Sequence, residues 1–256
     1  MAVSDATPTA SPTPTRRGSN LIKALAAALM VVDHIGAVFF PETLLLRYLG
    51  RLSFPLFSWL LAQGERRTRQ VYRYGQRLLL FGLISQPVYS AVFQTAQLNV
   101  LFTLLVGLVT LRLGHQQPQQ RYWIWPLGLL LAAVIPMDGS AYGVAMMLLM
   151  AHPMDGRWWS IWLLLHGALA VTGGIQPMQL WALPAPLIIL LLPREQTSTT
   201  QDKSAIPGDP QSGIASSQTK GDRYPSPQSP FKRWFYWFYP GHLLALWLVR
   251  LALSWR

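Results

Sequence analysis

Asp33 and His34 sit side by side within an apolar run that spans residues 21 to 40. An ionisable side chain inside such a run costs at least a few kcal/mol, so it needs a partner, a cavity or a function. A histidine next to a carboxylate has the chemistry of an oriented general base, because the acid raises the basicity of the imidazole. Lys23 lies in the same run with ten residues between it and His34, which separates them by about 16 Å along a helix. That spacing puts Lys23 at one mouth and His34 past the centre of a bilayer. In the next apolar run Arg51 lies roughly 10 Å deep, about the depth of His34 counted back from Pro41. Asp33, His34 and Arg51 can therefore meet in one layer, with Arg47 one turn away on the face of Arg51. Neighbouring helical residues point about 100° apart, so Asp33 either orients His34 or pairs with Arg51 and fixes the packing of two helices.

Other polar residues have weaker claims. His242 follows Tyr239-Pro240-Gly241, where Pro and Gly can break a helix start and turn backbone groups toward a cavity. Asn99, and Asp138 with Tyr142, open apolar runs and read as helix caps or as polar lining. His166 lies inside a run, while His115 and His152 lie at loop edges as ordinary surface residues. His34, His166, His242 and Asp33 form no H-x-x-x-H or H-E-x-x-H spacing, so no metal site is expected. The chain has no cysteine, which excludes disulfides, thiolate ligands and a cysteine acyl-enzyme.

The elements that must position these residues are apolar helices. Of 256 residues 51% are hydrophobic and 12% charged, with mean hydropathy +0.26, and a soluble domain usually carries about twice that charged fraction. Apolar runs near 21–40, 43–63, 75–93, 98–113, 122–136, 140–152, 158–173, 177–193 and 236–254 recur along the chain, several approaching the roughly 20 residues that cross a bilayer core. The expected fold is all-α, a polytopic transmembrane helix bundle of about nine spans, within a range of about eight to ten. The run 140–152 is short for a full crossing. The first run carries Asp33 and His34 and lacks a small-residue cleavage site, so it reads as a retained span. Trp and Tyr gather near segment ends, as in Arg121-Tyr122-Trp123, where amphipathic rings suit the headgroup level.

Residues 1–19 are rich in Thr, Pro, Ser and Ala and read as a disordered cytoplasmic tail; 20–193 form the bundle. Residues 194–230 read as a disordered cytoplasmic loop, and 231–256 as a C-terminal transmembrane segment. The net charge of +11 sits in short loops between apolar runs, where it orients helices in a lipid bilayer; no nucleic-acid partner is expected. The cluster Arg66, Arg67, Arg69, Arg73 and Arg77 and the pair Arg16-Arg17 place the N terminus in the cytoplasm. Nine spans would put Arg250 and Arg256 outside, against that rule. The chain shows no internal repeat, unlike many secondary transporters.

The run from Lys23 to Pro41 with Asp33-His34-Ile35-Gly36 resembles the TraX family. So do the blocks Arg47-Tyr48-Leu49-Gly50-Arg51-Leu52-Ser53-Phe54-Pro55, Gln63-Gly64-Glu65, Leu98-Asn99-Val100-Leu101-Phe102-Thr103, Asp138 to Gly143, and Phe235 to His242. That family is named for a conjugative-plasmid protein implicated in N-terminal acetylation of pilin, and it is similar to membrane acyltransferases of the type-three group. Lys23 and His34 match that group's basic residue, ten-residue spacing and histidine, and Arg51-Leu52-Ser53 resembles its second-span arginine motif.

The resemblance implies acyl transfer from acyl-CoA, with acetyl-CoA as donor and no permanently bound cofactor. The resemblance does not imply pilin as the substrate; the expected acceptor is a hydroxyl or amine, on a pilin-like peptide or a glycan, and the expected location a bacterial inner membrane. Lys23, Arg66, Arg67 and Arg77 are then expected to hold the coenzyme phosphates. His34 is the expected base, Asp33 its orienter, and Arg51 the group stabilising the oxyanion. Asn99, Asp138, Tyr239 and His242 are expected as polar lining. Two other classes stay open: a proton-coupled transporter or flippase using Asp33, His34 and Arg51 as a relay, and a non-catalytic membrane assembly factor.

Overall fold

The computed structural model describes residues 16–171, 177–191 and 230–254. Among these the chain is helical, and its one β feature is an isolated parallel bridge between Leu98 and Met137. Most of the loop 194–230 and residues 1–15 of the tail lie outside the described residues.

The first run folds as α1 (Arg16–Phe39), so the last residues assigned to the tail are already helical. The expected second span is two helices instead, α2 (Leu44–Gly50) and α3 (Ser53–Arg67), joined at Arg51–Leu52. Pro55 suits this break, because it has no N–H to bond the Arg51 carbonyl one turn back. α4 (Val71–Phe93), α5 (Val100–Gln116) and α6 (Arg121–Val134) follow near their expected bounds. α7 (Ser140–Met150) and α8 (Gly156–Val171) come next. The expected run 177–193 is a 3₁₀ turn, Pro177–Ala182, and a seven-residue α9 (Ala185–Leu191), since Pro184 and Pro186 remove the donors a long helix needs. The last helix is α10 (Pro230–Ser254); it runs unbroken through Pro240.

α7 is the axis of the molecule. Val144, Met146, Met147, Leu148, Leu149 and Met150 are all buried, so it is apolar all round, as a helix surrounded by others must be. Its 11 residues reach only about 16 Å, well short of a bilayer core of about 30 Å. On one side it packs with α3, α5 and α6 through Leu61, Leu108, Leu111 and Met147. On the other it meets α1, α3 and α8 through Ile22, Leu56, Met150 and Trp162. A third apolar cluster, Met30, Tyr89, Tyr239 and Leu243, joins α1, α4 and α10.

By length and composition one helix among the described residues, Gly18–Phe39, is long and apolar enough to cross a membrane. Val100–Gln116, Ser140–Met150 and Pro177–Leu191 are apolar but shorter.

Candidate functional site

Asp33 is buried on α1 and is the hub of the site. Arg51 Nη2 donates to both of its carboxylate oxygens, at 2.6 and 2.7 Å, and Arg47 Nη1 donates to Oδ2 at 2.8 Å. Arg47 and Arg51 are four apart, one turn of α2 and its cap, so both guanidinium groups converge on one acid. Gly50 lets this happen: a Cβ there would overlap Asp33 Cβ, so only glycine admits α2 this close to α1. Arg51 Nε is buried with no hydrogen-bond partner. Such a buried N–H needs an explanation.

His34 turns away from Asp33. Its Nδ1 lies 2.9 Å from His242 Nε2, and His242 Nδ1 lies 2.8 Å from the Phe238 carbonyl one turn back in α10. A carbonyl only accepts, so His242 Nδ1–H donates to it and Nε2 of the neutral ring must accept. His34 Nδ1–H is then the donor, and His34 Nε2 carries the free lone pair. The two imidazole planes lie within 13° of each other with centroids 5.1 Å apart, and Phe93 is edge-on to His34 at 5.0 Å.

Asp138 completes the layer from the turn before α7. Its N–H donates to the Leu98 carbonyl at 2.8 Å, and its carbonyl accepts from Thr103 Oγ1. Gly139 follows with φ +88°, a left-handed conformation that suits glycine. The carboxyl group faces Arg47 and Arg51, with Tyr89 beside it.

A family model described as TraX protein matches residues 18–208. The chain belongs to the TraX family. It is 31% identical over 147 residues to the "Probable fimbrial assembly protein FimC, serogroup H1" of Dichelobacter nodosus, covering 51% of this chain and 60% of that one. It is 30% identical over 135 residues to "Protein TraX" of Escherichia coli, covering 52% and 53%. An uncharacterised protein of Rickettsia prowazekii is 28% identical over 89 residues, covering 34% of each. The chain thus spans between a third and three-fifths of the length of these relatives. No solved structure matches it.

In this TraX-family chain a cavity of about 850 Å³ joins the buried layer to the basic cluster. Asp33, His34, Arg51, Asp138 and Tyr239 line its depth, and Lys23, Arg67, Arg73 and Arg77 line it elsewhere, Arg77 resting over the Tyr236 ring at 5.5 Å. Two expected residues point elsewhere. Arg66 is one residue out of phase with Arg67 and donates instead to the Ala151 carbonyl at the end of α7, where a helix C-terminus favours a cation. Asn99 accepts from Leu101 N–H at 3.0 Å and donates to the Gly82 carbonyl at 2.8 Å, so it caps α5 and ties it to α4. His242 stands behind His34 and is not among the cavity-lining residues.

Arg73, part of the expected basic cluster, also lines the cavity, while sequence reasoning missed the pairing of Tyr142 with His166, whose Nε2 lies 2.9 Å from the phenol oxygen. The signal for that pairing was present, as a histidine within an apolar run. Among the described residues no group of three or more His, Asp and Glu has the geometry to hold a metal ion.

Proposed function

We propose that the chain is an integral membrane acyltransferase that moves an acetyl group from acetyl-CoA to a hydroxyl or amine acceptor. It sits in a bacterial inner membrane as a polytopic bundle with its N terminus in the cytoplasm. The observation that carries the reading is the continuous cavity from the basic residues Lys23, Arg67, Arg73 and Arg77 to His34 and Arg51. A phosphate-bearing donor would lodge at the cations, and its flexible arm would bring the thioester to the histidine. Support for the membrane is the inverted distribution of polarity. Large apolar residues such as Leu127, Leu164 and Val134 are 66, 70 and 72% exposed, while Asp33 and His34 are buried.

The chemistry follows from the tautomer. His34 Nε2 takes the proton from the acceptor as its oxygen or nitrogen attacks the thioester carbonyl. Charge gathers on the carbonyl oxygen, and the Arg51 guanidinium, which lines the cavity, stabilises it in a water-poor site. The C–S bond then breaks, and the proton on His34 passes to the leaving thiolate, giving coenzyme A. Asp33 holds Arg51 in place; His242 holds His34.

A non-catalytic assembly factor is the second reading. The printed name of the Dichelobacter relative favours it, and an acid clamped by two arginines can simply weld α1 to α2.

Purified full-length chain in nanodiscs separates the two. Calorimetric binding of coenzyme A and consumption of labelled acetyl-CoA that depends on His34 support the enzyme. A folded protein that neither binds the coenzyme nor consumes the thioester, and a His34→Ala chain that still supports its cellular phenotype, would leave the assembly factor.

A further inference from the structure

A second histidine-backed group faces the same cavity. Tyr142 lies in the first turn of α7 and lines the cavity wall. His166, fully buried on α8, stands behind it with Nε2 at 2.9 Å from the phenol oxygen. The other ring nitrogen, Nδ1, lies 2.9 Å from the Trp162 carbonyl one turn back. That carbonyl accepts only, so Nδ1–H of the neutral ring donates to it and Nε2 accepts. The Tyr142 hydroxyl proton is therefore directed at His166. What remains toward the cavity is an oxygen with lone pairs and no proton to offer. The Trp162 ring, 4.2 Å from His166, and the Tyr142 ring, edge-on at 5.7 Å, fix the imidazole in this orientation.

A tyrosine locked in this way is a hydrogen-bond acceptor, and it selects for N–H or O–H donors on whatever lies beside it. Arg51 lines the same cavity as Tyr142. Under the acyl-transfer reading, on which this inference rests, the thioester carbonyl sits at Arg51. The coenzyme's pantetheine arm carries an amide N–H two carbons from the sulfur. We propose that Tyr142, held by His166, accepts a hydrogen bond from that amide, and so selects thioesters of the pantetheine type over simple ones.

The test uses two small thioesters with full-length protein in nanodiscs. One is N,S-diacetylcysteamine, which keeps the amide; the other replaces the amide N–H by an ester oxygen. The wild-type chain is expected to prefer the amide in kcat/KM by about fivefold to tenfold, the worth of one neutral hydrogen bond. Tyr142→Phe should erase that preference. His166→Asn, which keeps a donor for Trp162 but frees the tyrosine hydroxyl to turn, should erase it too. His166→Gln, whose carbonyl can still accept from Tyr142, should restore part of it. Thermal melts confirm that each variant is folded, and the ratio of the two thioesters is insensitive to the fraction that is not. A Tyr142→Phe chain with the wild-type preference, or a wild type with none, overturns the proposal alone. A folded wild type that consumes neither thioester nor acetyl-CoA overturns the acyl-donor reading and this inference with it.

Discussion

His34 donates its Nδ1–H to His242 Nε2 across 2.9 Å, although 208 residues separate the two. The bond fixes the tautomer, so the lone pair of His34 is on Nε2, and the ring is held by another imidazole rather than by the carboxylate next to it.

His34→Ala should lower acyl transfer by a factor of about 100 to 10,000, the usual cost of a lost general base, while coenzyme A still binds. Lys23→Ala should do the reverse, weakening coenzyme binding and leaving turnover at saturating donor. Calorimetry beside single-turnover kinetics reads both. Equal losses of affinity in the two variants would contradict this division of labour.

His242→Phe keeps the stacked ring but removes the acceptor. Loss of one neutral hydrogen bond, about 1 kcal/mol, sets a floor of roughly fivefold on the fall in rate, and ring rotation adds to it. Coenzyme affinity should hold. A rate equal to wild type would show that Phe238 and His242 do not set the tautomer.

Removing Asp33 leaves two guanidinium groups facing each other, so Asp33→Ala should cost about 3–5 kcal/mol of stability. Arg47→Ala should cost less, because Arg51 alone reaches both carboxylate oxygens. In thermal or denaturant melts the Asp33→Ala, Arg51→Ala double variant should be less destabilised than the sum of the singles. Strict additivity would mean the pair does not interact.

Gly50→Ala places a methyl group on Asp33. The backbone must move to admit it, at about 1–3 kcal/mol, and α2 is levered off α1. A melt unchanged from wild type would show that the contact is looser than the geometry states.

Because the chain has no native cysteine, single cysteines report its sidedness cleanly. Thr68→Cys and Gln119→Cys, on the basic loops, should resist an impermeant maleimide added to intact cells and react after lysis. Labelling of intact cells would invert the bundle and remove the cytoplasmic route for the coenzyme.

Depth arithmetic on α1 and on the run after it was enough to bring Asp33, His34 and Arg51 into one layer, because helical rise is constant and turn positions are marked by Pro41 and Thr43. Other features were harder to read. The break after Gly50 was missed within an apolar run, although Gly50 and Pro55 bracket it as helix-end and helix-start signals do. Proline also explains why 177–191 is a 3₁₀ turn and a short helix rather than one long helix, a cue that hydropathy outweighed. Arg66 and Arg67 differ only in helical phase, and nothing local tells which of them faces a cavity. The His34–His242 and Tyr142–His166 pairs join helices whose order in space no periodicity records.

The imidazole that holds His34 is carried by α10, the most C-terminal of the described helices. A nascent chain can form α1 to α3 and seat Arg51 on Asp33 long before α10 arrives, since chains fold from the N terminus as they are made. Until then His34 has no partner to choose its tautomer. The fold thus ties the state of His34 to its own completion: a chain without α10 keeps the Arg47–Asp33–Arg51 cluster but lacks the imidazole that fixes the His34 tautomer.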